Sequence, residues 1–369
     1  MNPTCFSQLV GNSEIKCCLE KMLEKKAVAN SMLFAGPEGV GKSQFAYVLA
    51  SKLICAHDPE GHHLLKMRKG VHPDLHVYRP EGKLGLHTIQ SLRELGEEVH
   101  LPPYEAQWKV FIIHEADRML SYSANALLKT FEEPPSHTLI ILVSDAPASI
   151  IPTILSRCRT IRFQTVSQTE IENFLSLKYQ LAAEKILTTA QLAQGSLGRA
   201  VHLAENCTGT LRTSLLTFIS NAPFQTYKEL SVAAASIAEQ VENTRQKAEE
   251  NAKGELCKVP TESLTALQQQ AIEKELEGIS TLAFFNEAQS LFAQLLSWYR
   301  DLEFLQLGGN RSLLLNRDHE EGLERALQRG HLLSISHVQT LIAEAQLSLQ
   351  RSTSLTLCLE NLFLKLGLL

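Results

Sequence analysis

Eight consecutive residues, Gly36-Pro37-Glu38-Gly39-Val40-Gly41-Lys42-Ser43, carry the G-x-x-x-x-G-K-[ST] spacing of a phosphate-binding loop. The chemistry this spacing supports is anion binding. Its glycines let the backbone curl until N–H groups point inward, a helix opening at Lys42 adds the positive end of its dipole, and the lysine brings a full charge to terminal phosphates. Ser43 is the expected magnesium ligand. Hydrolysis needs two further groups: an acid at the end of a second strand to hold the metal, and a carboxylate to polarise water. The second strand is read at Val110-Phe111-Ile112-Ile113, followed by His114-Glu115-Ala116-Asp117. An imidazole therefore stands where the metal-side aspartate is needed, and magnesium prefers oxygen ligands. Glu115 is placed to orient water, whereas Asp117 would substitute for the missing acid only through a slipped strand register. The expected pocket is built to hold a nucleotide such as ATP with Mg2+ and is poorly equipped to hydrolyse it.

Positioning these residues requires a strand before the loop and a helix after it. Ser31–Ala35 is a short apolar run that stops at glycine, and a helix follows over Lys42–Cys55. Upstream, Ile15, Leu19 and Leu23 recur at helical spacing within Ser13–Lys25. Downstream, the apolar runs Leu75–Tyr78, Val110–Ile113 and Leu139–Ser144 alternate with helical patterns over Thr88–Val99 and Ser123–Glu133, and Ile161–Phe163 closes the series. Such alternation predicts an α/β domain with a mostly parallel sheet. From Ser167 the strand signal stops. Gln168–Tyr179, Thr188–Ala193 and Leu197–Ala204 read as three short helices, and beyond Asn206 the pattern is helical to the end. A charged, Gly-containing stretch, Gln240–Glu262, interrupts it as either a solvated helix or a loose insertion, and reads as solvated surface. The last helix, Ser354–Leu368, places Leu355, Leu359, Leu362, Phe363 and Leu366 on one face, which must pack on its own domain or on neighbouring subunits. Three domains are expected: 1–164 around the phosphate loop, a helical lid at 165–206, and a helical collar at 207–369.

A chain of 369 residues and 41.0 kDa is long for one hydrophobic core, in keeping with that division. With 44% hydrophobic and 20% charged residues, wholesale disorder is excluded. The net charge of -5 is spread evenly enough that neither part is a basic magnet for nucleic acid: residues 1–160 hold 17 Lys+Arg against 17 Asp+Glu, and 161–369 hold 18 against 23. Any DNA contact is then a local patch or the property of an assembly. The 8 cysteines include no C-x-x-C pair, which points to a reducing compartment rather than a disulfide or zinc framework. No apolar run approaches the ~20 residues of a membrane span, and no export signal is read at the start, so the expected location is cytoplasmic.

Several stretches together resemble a known family. They are Phe6-x-x-Leu9-Val10-Gly11, the loop with its preceding Leu33-Phe34, His72-Pro73-Asp74, and Asn125-Ala-Leu-Leu-Lys129-Thr-Phe-Glu132-Glu133-Pro134-Pro135. Ile154-Leu155-Ser156-Arg157-Cys158, Gly195-Ser196-Leu197-Gly198 and Trp298-Tyr299-Arg300-Asp301-Leu302 complete the set. They resemble the AAA+ clamp-loader subunits of bacterial DNA polymerase III, most closely the delta-prime branch. The resemblance implies an open ring of five subunits in which the arginine of Ser-Arg-Cys reaches ATP bound next door. Arg157 matches that arginine: an always-charged fork that offsets charge on a transferred phosphoryl group in trans, an arginine finger. Cys158 beside it reads as a small buried residue rather than a nucleophile. The resemblance further marks Ser144 or Asp145 as a first phosphate sensor, Arg199 as a second sensor reaching back from the lid, and Val10 near Leu9 as part of an adenine contact.

One departure stands out. Relatives usually carry a zinc module after the phosphate-loop helix, and this chain keeps only Cys55 of its cysteines. His57, His62, His63, His72 and His76 match no closed structural spacing, so they are expected to be solvated or turn histidines, with no zinc. The implied role is that of a delta-prime stator in a hetero-pentameric ring with gamma/tau and delta partners. It would help load the sliding clamp on primed DNA through backbone phosphates, and no membrane is involved. Two alternatives stay open: an active gamma/tau-type ATPase, and an AAA+ DNA translocase or helicase.

Overall fold

A computed structural model of the chain describes residues 5–58, 61–80, 86–120, 127–205, 210–256, 266–328, 330 and 333–369. The chain divides into two compact units, 1–206 and 207–369. The first is built on five strands: β1 (Ser31–Ala35), β2 (Leu75–Tyr78), β3 (Lys109–Ile113), β4 (Thr138–Ser144) and β5 (Arg159–Arg162). Their order is β2-β3-β4-β1-β5 and every pairing is parallel, as the alternating pattern predicts. β1 lies between β4 and β5, with Leu33 opposite Leu142 on one side and Thr160 on the other. Successive side chains point to opposite faces: Met32 and Phe34 join one buried cluster, Leu33 and Ala35 the other. A sheet covered on both faces explains why β1, β3 and β4 read as unbroken apolar runs.

The helices of this unit are α1 (Ser13–Glu24), α2 (Lys42–Ile54), α3 (His62–Lys69), α4 (Ile89–Val99), α5 (Leu128–Glu132) and the single turn α6 (Pro152–Leu155). α2 packs Phe45, Ala46, Val48 and Leu49 against the sheet, which anchors the phosphate loop between two buried elements. α4 starts where Thr88 accepts the Ser91 amide, and its Leu92, Leu95 and Val99 cover the opposite face. The sequence pattern misses α3, because only Met67 of its eight residues is buried. A local signal exists, however: the Asp58 carboxylate accepts the amides of His62 at 2.9 Å and Leu64 at 3.1 Å. Of the helix expected over Ser123–Glu133, residues 123–126 lie outside the described residues and Leu128–Glu132 form α5.

The lid helices α7 (Gln168–Lys178), α8 (Ala183–Ala193) and α9 (Leu197–Glu205) belong to the first unit but have their own core of Val166, Ile171, Leu175, Ala190, Ala193, Ala200 and Ala204. α7 opens with a capping box in which Ser167 and Glu170 satisfy each other's amides. α8 starts at Ala183, ahead of the expected Thr188, since Ile186 packs into that core.

The second unit is helical throughout its described residues: α10 (Thr210–Asn221), α11 (Tyr227–Leu256), α12 (Ala266–Gln306), α13 (Glu320–Gln328), α14 (Ile335–Gln350) and α15 (Leu355–Lys365). The charged stretch from Gln240 does not interrupt the helical pattern at first, since α11 runs through it to Leu256; residues 257–265 lie outside the described residues. The apolar face of the last helix is settled in favour of its own unit, where Leu355, Leu359, Leu362, Phe363 and Leu366 are all buried. The Trp298–Leu302 stretch is structural as well. Trp298 and Leu302 sit in that core, and the buried Asp301 carboxylate accepts the amides of Leu315 and Asn316 and the Asn316 side-chain amide. Among the described residues, no helix is long and apolar enough to cross a membrane.

Candidate functional site

The loop Gly36–Ser43 leaves β1 at the carboxyl edge of the sheet and enters α2, as the motif requires. Gly39 and Gly41 hold φ of +73° and +98°, conformations that favour glycine. Gly39 has a second constraint: a Cβ there would sit 2.0 Å from Ser196 Oγ. The lid reaches the loop at this point, and Gly198 N donates to Gly39 O at 2.8 Å. The Gly195–Gly198 stretch thus brings lid and loop into backbone contact. Lys42 is buried and its ammonium is fully engaged. It donates to Gly36 O at 2.7 Å and Pro37 O at 2.6 Å, and pairs with Asp145 Oδ1 at 2.5 Å.

The metal side of the pocket is differently furnished. Ser43 Oγ lies 3.1 Å from His114 Nδ1. Burial, aided by Arg79 and His87, pushes the His114 imidazole down to about 4, so the ring is neutral at pH 7. A neutral nitrogen donor beside the serine is a poor fit for magnesium, which takes oxygen ligands. Glu115 has left-handed backbone (φ +49°) and its carboxylate pairs with Arg118 at 2.8 Å. Burial raises its pKa against the pull of Arg118, with Asp117 and Asp145 adding to the rise. Asp117 does not rescue the metal site: its Oδ1 accepts from Ser144 Oγ at 2.5 Å. Ser144 is thereby tied to Asp117 and to the Ala146 amide, and it is Asp145 that faces the phosphate-loop lysine. The residues on hand suit a phosphate group and do not suit its magnesium.

Arg199 of α9 leans toward the same loop. Its Nε is buried without a hydrogen-bond partner, burial disfavours its charge, and the Glu38 carboxylate favours it. Val10 packs with the lid core, joining the N-terminal segment to the lid. Loop, Ser144, Asp145, Glu115 and Arg199 are gathered on one side of the sheet. Arg157 is not among them. It precedes β5, whose Arg159 pairs with Met32 near the start of β1, so Arg157 lies at the amino edge of the sheet and the phosphate loop at the carboxyl edge. Its Nη1 donates to Thr153 O at 2.9 Å and its Nη2 to Glu132 Oε1 at 2.7 Å. Glu132, in the Lys-Thr-Phe-Glu-Glu-Pro-Pro run, is a partner that spacing alone did not reveal. Cys158 packs against the sheet's second cluster, and burial pushes its thiol up to about 12, which excludes a reactive thiolate at neutral pH.

The expectation of solvated or turn histidines holds for His57 and His62, which are exposed, and is corrected for the ring of His72, which lies in a turn but is buried. His72 is buried, and its Nε2 lies 2.9 Å from His63 Nδ1. His76 is half-buried and stacks on Phe111. His76 reaches Phe111 because the two are paired across β2 and β3, whereas His63 is carried to His72 by α3, whose Met67 is buried in the cluster that Leu75 of β2 packs against.

Residues 11–167 match the family described as DNA polymerase III, delta subunit. The chain is 35% identical over 162 residues to DNA polymerase III subunit delta' of Bacillus subtilis, covering 42% of this chain and 49% of the relative. It is 30% identical over 217 residues to DNA polymerase III subunit gamma of Buchnera aphidicola, covering 55% and 59%. It thus spans about half the length of these relatives. Among solved structures, the Thermotoga maritima RuvB Holliday junction branch migration motor aligns at 16% identity with a TM-score of 0.41, over 57% of this chain and 66% of that one.

Proposed function

Because this chain belongs to the clamp-loader family of DNA polymerase III subunits, we propose that it works as a delta-prime-type ring subunit that lends Arg157 to a neighbour's ATP site rather than turning over ATP itself. The observation that carries this reading is the position of Arg157 across the sheet from its own loop. β1 runs from Ser31 to Ala35, and five residues of strand at ~3.3 Å each separate the two edges by roughly 16 Å, beyond an arginine's reach. A guanidinium at that edge serves an anion that another molecule brings. Support also comes from the metal side, where His114 faces Ser43. That contact disfavours an autonomous gamma/tau-type ATPase.

Within its own pocket, Gly36–Ser43, Arg199 and Val10 are the residues that would hold a nucleotide. Bound phosphates would supply the negative charge that Lys42 now takes from Asp145. The proposed partners are gamma/tau and delta subunits in a pentameric ring, with the sliding clamp and primed DNA engaged through that assembly. The chain itself needs no basic face for this, since DNA backbone phosphates would be held collectively.

The test is a ring reconstituted from the cognate subunits with clamp and primed DNA. Arg157→Ala should leave nucleotide binding by the isolated chain intact and lower ATP turnover at the neighbouring site by about 10³-fold, the scale of an arginine finger, which reads as a loss of that site's share of ring turnover. Unchanged turnover would remove the finger assignment. Robust magnesium-dependent turnover by the isolated chain would overturn the non-hydrolysing reading.

A further inference from the structure

Away from the phosphate loop, three ligand-type atoms converge between α3, the turn before β2 and the loop before β3. They are His63 Nδ1, His72 Nε2 and Glu105 Oε1, all within 4.8 Å of one another. Their separations are 2.9 Å for the two histidines, 3.8 Å for His63 to Glu105 and 3.4 Å for His72 to Glu105. Donors at 2.0–2.1 Å from one tetrahedral ion stand about 3.3 Å apart, so the triangle has the size of one face of such a site. We propose that His63, His72 and Glu105 form a binding site for a divalent transition ion, zinc by its donor set, with a fourth position left to water.

The surroundings have the character of an outer shell. The Asp74 carboxylate accepts the amides of Tyr104 at 2.5 Å, Glu105 at 2.9 Å and Ala106 at 2.8 Å, which fixes the backbone that carries Glu105. Lys66 Nζ donates to both carboxylate oxygens, Oε2 at 2.5 Å and Oε1 at 2.8 Å, so an arriving ion takes Oε1 from the ammonium while Oε2 keeps the carboxylate in place beside the rings. Ligating carboxylates are commonly held by such secondary hydrogen bonds. The side chain of His72 is fully buried, and those of His63 and Glu105 are 19% and 23% exposed, which leaves an entry path on one side.

The site differs in kind from a cysteine module. Cys55 contributes no donor to it, and its sulfur instead neighbours Ser51 Oγ at 4.0 Å. In the metal-free chain, His72 Nδ1 accepts the Asp74 amide at 3.1 Å, so the ring proton sits on Nε2 and points at His63. An ion at Nε2 moves that proton to Nδ1, so the hydrogen bond from the Asp74 amide is lost and two N–H groups face each other until the turn adjusts, a cost set against three coordinate bonds. A bound ion would pin α3 to the loop that feeds β3.

The experiment is a titration of the full chain, stripped with chelator, first with Co2+ as a spectroscopic probe and then with Zn2+ in competition. The expected result is one equivalent bound with a tetrahedral nitrogen–oxygen spectrum and no thiolate charge-transfer band. His63→Ala and Glu105→Gln, both at partly exposed positions, should each weaken binding at least tenfold with circular dichroism unchanged. Cys17→Ser/Cys18→Ser, which removes the two thiols that are exposed among the described residues, should have no effect. No uptake of either ion at micromolar concentration, a thiolate-type spectrum, or uptake that both His63→Ala and Glu105→Gln leave unchanged would each overturn the assignment.

Discussion

The two edges of the sheet hold their cations in opposite ways. At the carboxyl edge, the Lys42 side chain is 4% exposed and its ammonium meets three oxygens of its own chain. At the amino edge, Arg157 is 36% exposed and its carboxylate partner Glu132 is 50% exposed. A buried ammonium must be satisfied internally, and any ligand that claims it has to displace those contacts. An ion pair between exposed groups contributes ~0–1 kcal/mol, so an incoming phosphate can take the guanidinium at little cost. The phosphate-loop cation is therefore satisfied within its own chain, whereas the cation at the opposite edge is held only by groups open to solvent.

The sharpest way to break this contrast is at Lys42. Lys42→Ala should weaken nucleotide binding by the isolated chain at least a hundredfold, about 3 kcal/mol, measured by fluorescence anisotropy with a labelled ATP analogue. Ring turnover that depends on Arg157 should fall far less. If Lys42→Ala abolished ring turnover as completely as Arg157→Ala, the two edges would not be separable in function.

A second effect tests how closed the carboxyl edge is. His114 is held at about 4 against an ordinary 6.5, so between these values the unfolded chain takes up a proton that the native pocket refuses. Stability is then full above 6.5 and falls as the pH drops toward 4. For this group the loss between pH 7 and pH 5 is roughly 2 kcal/mol. Urea unfolding of the wild type and of His114→Asn at both pH values isolates this contribution from the other histidines. An equal pH dependence in both would mean that His114 is open to water.

Much of the contrast was legible in the sequence. The motif located the loop, and the apolar runs gave the strands in parallel order. His114 in place of an acid announced the missing metal ligand. What stayed hidden was which charges meet. Asp145 follows β4, and only the parallel pairing of β4 with β1 brings it to Lys42. Glu132 is 25 residues from Arg157 and meets it because α5 and α6 pack together. The clustering of His63, His72 and Glu105 was hidden for a related reason. Spacing rules for metal sites describe ligands close in sequence, whereas Glu105 lies 33 residues beyond His72 and is brought there by Asp74 capping its loop.

The smallest expected effect bears on the open edge alone. Glu132→Ala removes the carboxylate that Arg157 Nη2 bonds, while the Thr153 carbonyl still holds Nη1. With both partners solvated, the native state should lose under ~1 kcal/mol, a shift in melting temperature of a degree or two at most for a chain of this size. Ring turnover is a more sensitive readout, because a guanidinium with one anchor instead of two spends less time in the orientation that meets phosphate. A drop of about threefold in kcat with unchanged KM for ATP is expected. Glu132→Gln should restore most of it, since the amide oxygen accepts the same hydrogen bond. A rise in turnover in both variants would reverse the role of Glu132, making it a competitor that withholds Arg157 from the neighbouring phosphate until the ring forms.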